Sequence, residues 1–304
     1  MIISGKELID MGVKEYPVLV EGLIPKYEMA VIAGGSDIGK SSFLRDLAMS
    51  IVEKRESFLG QKLNITHGRV IYVSSEDGIY ALSNCLIRST EENDSDVYEN
   101  ITFILETDNV LNTIKDELAK YNVDAIIMDS YSDLFTEGNM HLANDTRNFL
   151  KPYGDLCKEH NCSVIFLHHF SKSRGQTGGS KNALLGSCAI EQKIRAVLTF
   201  GKGNGDNIRE LQLVKGNNFK TEEKKVVYNL TFEANQRFSL HEKTNAAKNK
   251  ALKMEEDKPE VQELVFELKE QGMSWIKVQE TVREKGFNYG KTKLAEWHKE
   301  FMSK

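Results

Sequence analysis

Long apolar runs, paired cysteines and an excess of positive charge are all missing from this sequence of 304 residues. No apolar run approaches the roughly 18–20 residues of a membrane-spanning helix, which excludes a helical membrane protein. The N-terminal stretch lacks the basic region and long apolar core of a secretory signal, so we expect a cytoplasmic protein without a membrane partner. The net charge of −5 means that the surface as a whole does not attract a polyanion. Contact with nucleic acid must therefore come from a local basic strip.

The four cysteines follow no paired framework, which excludes a disulfide scaffold and fits a reducing compartment. Cys157, His160 and Cys162 are spaced like part of a zinc site. Because no second ligand pair stands at a usual spacing, we expect core cysteines instead.

Short runs rich in Val and Ile alternate with longer mixed segments from residue 28 to about residue 240. Apolar runs bounded by polar turns are typical of strands buried on both faces, and helical periodicity between them indicates parallel crossovers. The sequence therefore predicts an α/β fold with a mostly parallel sheet flanked by helices. The last three runs are too close together for intervening helices and predict antiparallel edge strands: IRELQLVKG, KKVVYNLTFE and QRFSLHE.

Composition divides the chain into three parts. The α/β domain is predicted over residues 1–242. Residues 243–257 have many charges and few large apolar side chains, which suits a charged linker or a solvated helix. Residues 258–304 show three apolar-periodic segments separated by Gly272 and Gly286, which predict a small three-helix module.

A glycine-rich loop follows the first buried run: Gly34, four residues, then Gly39, Lys40 and Ser41. This is the pattern G-x-x-x-x-G-K-[ST], placed between a strand and an amphipathic segment. Backbone N–H groups of such a loop curl around an anion, and the following helix adds the positive end of its dipole. The loop therefore predicts binding of a nucleoside triphosphate. Its predicted contact residues are Gly34, Gly35, Ser36, Asp37, Ile38, Gly39, Lys40, Ser41 and Ser42.

Two other buried apolar runs are followed by, or end in, a carboxylate residue, Glu76 and Asp129. Lys40 would reach the β- and γ-phosphates, while Ser41 and the strand-end Asp129 would hold Mg²⁺. Glu76, after the run RVIYVSS, could orient the attacking water. Each acid could instead be an ordinary turn residue, and Asp124, which begins the strand of Asp129, is a poorer metal candidate.

The motifs occur in an order that resembles the RecA-like ATPases: GGSDIGKSS, VIYVSSEDG, DAIIMDSYSDL, SVIFLHHFSK and LLGSCAIEQKIRAVLTF. The resemblance is greatest to the RepA-type hexameric replicative helicases of plasmids and their relatives on phages and mobile elements. It covers roughly residues 15–235. It implies that Glu76 is the catalytic carboxylate and that Asp129 serves the metal. It also implies that His168 and His169 sense the γ-phosphate and pass its state to DNA-binding loops, although two histidines at a strand end could be purely structural.

A basic stretch, SKSRGQTGGSKNALL, follows the histidine pair. It is rich in glycine, contains no acid and is similar to the mobile pore loop of that family. It predicts contact with a nucleic-acid backbone, but it could also be a solvent loop. Its basic residues are Lys172, Arg174 and Lys181.

Arg195, in KIRAV, aligns with the arginine that reaches the neighbouring subunit's nucleotide in RepA-type helicases. An arginine supplied across an interface makes hydrolysis depend on assembly. The resemblance thus implies a homo-oligomeric ring, a hexamer. Arg195 could instead form a surface ion pair, and Lys193 or Lys215 could carry part of the role.

The C-terminal segment resembles a helix-turn-helix of the resolvase type. Ser274 is a good N-cap, and the apolar positions can form one small core. The last helix would expose Lys291 and Lys293 to phosphates or base edges. Because acidic and basic residues are nearly balanced here, DNA binding and protein docking stay open as alternatives.

These features predict an ATP- and Mg²⁺-dependent DNA motor, a ring-forming replicative helicase acting on single-stranded DNA. One alternative is a non-unwinding ATP switch that binds DNA and regulates or loads another factor of a mobile element. Another is a small-molecule kinase, which shares the phosphate loop but consumes nucleotide without regard to DNA.

Overall fold

The computed structural model describes residues 2–90, 95–136, 138–140, 142–169 and 188–303. Within these residues, one nine-stranded sheet is accompanied by two small two-stranded sheets. The strands are β1 (Val18–Val20), β2 (Ile24–Pro25), β3 (Met29–Gly34), β4 (Ser57–Phe58), β5 (Gln61–Lys62), β6 (Val70–Ser74), β7 (Ile101–Ile104), β8 (Ala125–Asp129), β9 (Ser163–His169), β10 (Ala196–Lys202), β11 (Ile208–Gly216), β12 (Val226–Phe232) and β13 (Phe238–Asn245). The helices are α1 (Gly5–Asp10), α2 (Lys40–Val52), α3 (Ile79–Ser89), α4 (Val110–Leu118), α5 (Tyr131–Leu134), α6 (Ala143–Glu159), α7 (Cys188–Lys193), α8 (Ala246–Glu270), α9 (Trp275–Glu284) and α10 (Lys291–Met302).

The large sheet is parallel over most of its width. Its strand order is β13-β12-β11-β10-β3-β9-β8-β6-β7. All neighbours from β10 to β7 in this order pair in parallel, whereas β10 to β13 pair as antiparallel neighbours. The predicted α/β fold with antiparallel edge strands is therefore confirmed.

The sheet is covered on both faces, because alternate residues of each central strand point to opposite sides. In β3, Ala30 and Ile32 pack into a cluster that includes Leu44 of α2. Met29 and Val31 join the cluster on the other face. Strand β3 is buried along its whole length, so the loop that follows it starts from a rigid position.

A buried ion-pair network ties the antiparallel edge of the sheet to α2. Arg237 donates from Nη1 to Asp46 Oδ1 at 2.9 Å and pairs with Glu53 as well. Its Nε donates to the carbonyl oxygen of Ser89 at 3.0 Å. The backbone N–H of Phe238 donates to the other Asp46 oxygen at 2.8 Å. Helix α2 is thus fixed from the side of β13 as well as from the sheet.

Residues 243–257, predicted as a charged linker, form the end of β13 and the first half of α8. The segment is rich in Ala, Lys, Met and Glu, which are strong helix formers. The second half of α8 packs against α9 and α10 around a separate small core. That core contains Val261, Leu264, Val265, Leu268, Val278, Val282, Leu294 and Trp297.

The cysteines that were considered for zinc, Cys157 and Cys162, are buried in the core. Cys157 and Cys162 are buried free thiols, and burial raises the pKa of Cys162 to about 12. In the described part of the chain, no group of His, Cys, Asp and Glu is arranged to hold a metal by itself. None of the helices in the same ranges is both long and apolar enough to cross a membrane.

Candidate active site

The glycine-rich loop joins β3 to α2 and contains two positions that require glycine. A Cβ atom on Gly34 would lie 2.2 Å from the carbonyl oxygen of Phe200 on the adjacent strand. Gly39, the N-cap of α2, has a φ of 89°, in the left-handed region that favours glycine. Helix α2 begins at Lys40, so the unpaired N–H groups of its first turn face the loop.

An open cavity of about 470 Å³ lies at this end of α2. The loop forms one wall, and the turn after β6 forms the opposite wall together with the end of β9. Three predicted loop residues, Gly34, Gly35 and Ile38, do not line it. Ile38 is buried instead in the core against α2. The lining residues are Ser36, Asp37, Gly39, Lys40, Ser41, Ser42, Glu76, Asp77 and His169.

Lys40 is held inside the cavity by two contacts. Its Nζ donates to the carbonyl oxygen of Gly35 and lies 3.3 Å from Nδ1 of His169. Burial lowers the pKa of Lys40 to about 8, and the charges of Asp129, Glu76 and Asp37 oppose this change. A triphosphate would restore the full positive charge of this buried lysine, because an adjacent anion favours the ammonium form.

His169 connects Lys40 with Glu76. Its Nε2 lies 3.2 Å from Oε1 of Glu76, while Nδ1 contacts Lys40 from the other side. The arrangement follows from parallel pairing of β3 and β9, which sets His169 opposite Gly34 at the start of the loop. The carboxylate of Glu76 is half exposed at the mouth of the cavity. It can therefore reach a water molecule approaching a bound phosphate.

The two histidines of the pair point to different surroundings. His168 is buried, stacks on Tyr131 with ring centroids 5.2 Å apart, and donates from Nδ1 to the carbonyl oxygen of His169 at 2.8 Å. It does not line the cavity. Neighbouring residues of a strand face opposite sides of the sheet, so only His169 is placed beside the phosphate loop.

Asp129 is the candidate magnesium ligand at the end of β8. Oδ2 accepts a hydrogen bond of 2.7 Å from the hydroxyl of Tyr72. Oδ1 is buried without a hydrogen-bond partner among the described residues. Burial raises the pKa of Asp129, and Tyr72 and Ser41 counteract the rise. An unsatisfied buried carboxylate oxygen beside a serine of the phosphate loop fits Mg²⁺, which takes few protein ligands and completes its shell with phosphates and water.

Two arginines and one aspartate stabilise the walls of the site. None of the three was selected from the sequence. Arg45, largely buried, donates from Nη1 to Asp77 Oδ2 at 2.7 Å and from Nη2 to the Ser42 hydroxyl at 3.3 Å. It thereby joins the turn that carries Glu76 to the phosphate loop. Arg209 of β11 donates from Nε to the carbonyl oxygen of Ile38 at 2.8 Å. No local motif marks the two arginines, because Asp77 and Ile38, their partners, lie far away in sequence.

Arg195 lies at the amino ends of the parallel strands, whereas the cavity lies at their carboxyl ends. It directly precedes β10, and its N–H donates to the carbonyl oxygen of Met29 at the start of β3. Its side chain is 45% exposed, with Nε 3.7 Å from Oε2 of Glu28. Lys215 lies at the same edge and donates from Nζ to the carbonyl oxygen of Ile194 at 2.8 Å.

The predicted nucleic-acid contacts fall into two groups. Lys172, Arg174 and Lys181 lie outside the described residues. Lys291 is the exposed first residue of α10. Lys293 is partly covered by an ion pair with Glu296 at 3.0 Å, and its Nζ lies over the ring of Trp297.

The phosphate loop and the two strand-end acids lie at the end of a parallel sheet. Together these features define a RecA-like ATPase of the phosphate-loop class. The sequence model of the AAA domain family matches residues 14–175, more than half of the chain, and the chain belongs to this family. A search of curated proteins gives no significant match.

A solved structure supports the fold assignment. The chain is similar to a KaiC-like protein from the hyperthermophilic archaeon Pyrococcus horikoshii OT3, with 17% sequence identity and a TM-score of 0.51. The alignment covers 75% of this chain and 98% of that chain. The predicted RecA-like core is thus confirmed, while the narrower likeness to RepA-type helicases stays a prediction.

Proposed function

We propose that this chain is an ATP-driven DNA motor, a ring-forming helicase of the RepA type that acts on single-stranded DNA. The observation that carries the proposal is the contact of His169 with both Lys40 and Glu76. His169 is followed directly in the chain by the basic segment of Lys172, Arg174 and Lys181. One residue therefore connects the phosphate site with the segment best suited to a DNA backbone.

Hydrolysis would use the groups that converge on the cavity. The N–H groups at the start of α2 and the ammonium of Lys40 bind the β- and γ-phosphates. Glu76 orients a water molecule for attack on the terminal phosphorus. Mg²⁺, held by Ser41 and Asp129, would neutralise charge on the phosphate oxygens when bound. His169 changes partners when the terminal phosphate leaves, because Lys40 and Glu76 lose the anion between them.

Coupling to DNA would follow from that change of partners. The imidazole of His169 contacts two charged groups whose interactions depend on the γ-phosphate. A shift of this ring acts on the residues that follow it, which include three cations and no acid before Lys181. Strand translocation would result from movement of this segment with the nucleotide state.

A ring is proposed because Arg195 cannot serve its own cavity. It lies beside Met29, and the cavity lies beyond Gly34 at the other end of the same strand. Six residues of strand separate the two by roughly 17–20 Å. An exposed arginine at that distance can complete a nucleotide site only on a neighbouring copy, as arginine fingers do.

The C-terminal module supports a second candidate, an ATP switch that binds duplex DNA without unwinding it. Ser274 caps α9 by accepting from the N–H of Lys277, and α10 starts with Lys291 and Thr292 exposed. This is the placement that a helix-turn-helix needs for contact with a phosphate backbone. Acidic and basic residues are nearly balanced in this module. The ATP switch is therefore less favoured than the motor.

ATP turnover and unwinding of a forked duplex separate these functions. For the motor, single-stranded DNA stimulates turnover, and the fork is unwound. Changing Lys172, Arg174 and Lys181 together to glutamine abolishes the stimulation but leaves basal turnover unchanged. Changing Lys291 and Lys293 to glutamine, as the control, leaves both the stimulation and the basal turnover unchanged. Stimulation without unwinding would favour the switch. Turnover that ignores DNA and protein concentration would favour a small-molecule kinase and refute the motor.

Mixing two inactive variants tests the shared site. Arg195→Ala removes the arginine but keeps Glu76, and Glu76→Gln keeps the arginine. A mixed ring therefore contains some complete sites, so activity should return on mixing. If no ratio of the two proteins restores turnover, the ring with shared sites is refuted.

A further inference from the structure

Tyr72 is a buried tyrosine in the middle of β6, the strand between β7 and β8 in the sheet. Its side chain is fully buried, and its ring packs against Phe103 of β7 with centroids 5.3 Å apart. In the parallel register of β6 and β8, Tyr72 lies opposite Ile127, two residues before Asp129. Residues two apart in a strand share a face of the sheet, so Tyr72 and Asp129 project on the same side.

The Tyr72 hydroxyl contacts the candidate metal ligand directly. It donates to Oδ2 of Asp129 at 2.7 Å, and it lies 3.4 Å from the carbonyl oxygen of Ser41. A phenol has one proton to donate, and the shorter contact with the charged carboxylate takes it. Oδ1 of Asp129 has no hydrogen-bond partner among the described residues. One carboxylate oxygen is therefore occupied by the protein, and the other is left for a cation.

Packing against the core does not explain why a tyrosine stands at position 72. A phenylalanine would make the same contact with Phe103, whereas a buried hydroxyl costs free energy unless it is hydrogen-bonded. At the other end of β8, three backbone N–H groups hold the carboxylate of Asp124. The carboxylate of Asp129 is held instead by a side chain from the neighbouring strand. Loss of the Tyr72 hydroxyl would therefore remove a hydrogen bond that fixes the orientation of Asp129.

We propose that Tyr72 is a positioning residue for the metal site. Its hydroxyl holds Oδ2 of Asp129, which fixes the rotation of the carboxylate and leaves Oδ1 to Mg²⁺. Tyr72 does not line the cavity, so it acts through Asp129 and not by contact with the nucleotide. Hydrogen-bonded groups behind a metal ligand contribute about 10- to 100-fold to metal affinity. The proposal rests on the proposed binding of ATP and Mg²⁺, but not on DNA, unwinding or assembly of a ring.

Binding of a fluorescent, non-hydrolysable ATP analogue, measured with Mg²⁺ and again with EDTA, gives the first test. The ratio of the two dissociation constants reports what the metal contributes, without any turnover. Tyr72→Phe keeps the ring, so binding in EDTA should stay within about twofold while the Mg²⁺-dependent gain falls about tenfold. Tyr98→Phe is the matched control and should keep the full gain. The Tyr98 hydroxyl also donates to a carboxylate, that of Glu53 at 2.7 Å, but neither residue lines the cavity.

A double variant shows whether Tyr72 acts through Asp129. Asp129→Asn should reduce the Mg²⁺-dependent gain by itself, and adding Tyr72→Phe should cause no further loss, because both changes disturb one metal contact. A full gain in Tyr72→Phe, an equal loss in Tyr98→Phe, or additive losses in the double variant would overturn the proposal and leave the proposed ATPase intact. Analogue binding by the wild-type chain that ignores Mg²⁺ would overturn both.

A crystal structure of the wild-type chain with the analogue and Mg²⁺ tests the orientation without any variant. We expect one oxygen of Asp129 to stay hydrogen-bonded to Tyr72 and the other oxygen to lie nearer the metal. An Asp129 carboxylate that has left Tyr72 in this complex would overturn the proposal, even if the Tyr72→Phe protein does not fold.

Discussion

The two ends of β8 each carry a buried aspartate, yet their surroundings are opposite. Asp124, at the amino end, accepts three backbone hydrogen bonds, from Thr66 at 2.7 Å, His67 at 2.9 Å and Gly68 at 2.6 Å. Asp129, at the carboxyl end, accepts one from Tyr72 and keeps Oδ1 unpaired within the described chain. The first arrangement stabilises the fold, whereas the second costs stability, a cost that a bound cation would offset.

The same contrast extends along the parallel strands. At the carboxyl edge, Lys40 is buried with a lowered pKa, and Glu76 approaches it through His169. At the amino edge, Arg195 is exposed and makes one long ion pair. Desolvated and interacting charges are therefore concentrated where the phosphates would bind, which is a common property of functional sites.

The largest effect is expected from Asp129→Asn. Turnover of ATP should fall about 100-fold or more, because the amide is a poor magnesium ligand and metal binding contributes several kcal/mol to phosphoryl transfer. The free energy of unfolding without nucleotide should stay the same or rise, because a buried unpaired charge is removed. Steady-state ATPase assays and urea unfolding give the two values. A clear loss of stability would make Asp129 a structural residue like Asp124.

Asp124→Asn should show the reverse pattern. The amide cannot accept all three backbone hydrogen bonds, so we expect a loss of about 2 kcal/mol in the free energy of unfolding. Turnover at a temperature where the protein remains folded should stay within about twofold. A selective loss of turnover with unchanged stability would remove the distinction between the two ends of the strand.

Arg45→Gln tests how firmly the carboxyl edge is braced. It breaks the ion pair with Asp77 and should lower turnover about tenfold, which corresponds to about 1.4 kcal/mol, through misplacement of Glu76. ATP affinity should change little. Adding Asp77→Asn should cause little further loss, because both changes remove the same contact. Arg55→Gln, at an exposed position three residues beyond the end of α2, serves as the control, and equal losses from both arginines would contradict the bracing role.

The smallest effect on stability is expected from Arg195→Ala at the amino edge. An exposed ion pair with a separation of 3.7 Å contributes under about 0.5 kcal/mol to the free energy of unfolding. A larger loss, measured by urea unfolding, would show that Arg195 supports the fold of its own chain. Its proposed effect on turnover in the assembled protein would then need another explanation.

Local patterns were sufficient to predict the fold and the centre of the site. The alternation of buried runs and helical segments indicated the α/β sheet, and Gly39, Lys40 and Ser41 lie in the predicted loop. Strand ends were visible in sequence, so Glu76 and Asp129 could be selected, although their chemical roles stay predictions. These features depend on neighbours in the chain, which sequence reasoning handles directly.

Contacts between distant segments could not be predicted in this way. The sequence could not separate His168 from His169, because β9 is buried on both faces and gives no alternation to read. Arg45, Arg209 and Arg237 acquire their positions from partners on other strands and helices. The charged composition of residues 243–257 suited both a linker and a solvated helix, and the sequence could not decide between the two.

The most direct measurement is a crystal structure with a non-hydrolysable ATP analogue and Mg²⁺. We expect the γ-phosphate to contact Nζ of Lys40, the metal to meet Ser41 and Asp129, and the carboxylate of Glu76 to face the terminal phosphorus. A triphosphate bound outside the cavity, or Glu76 directed away from a phosphate bound within it, would contradict ATP hydrolysis at this site.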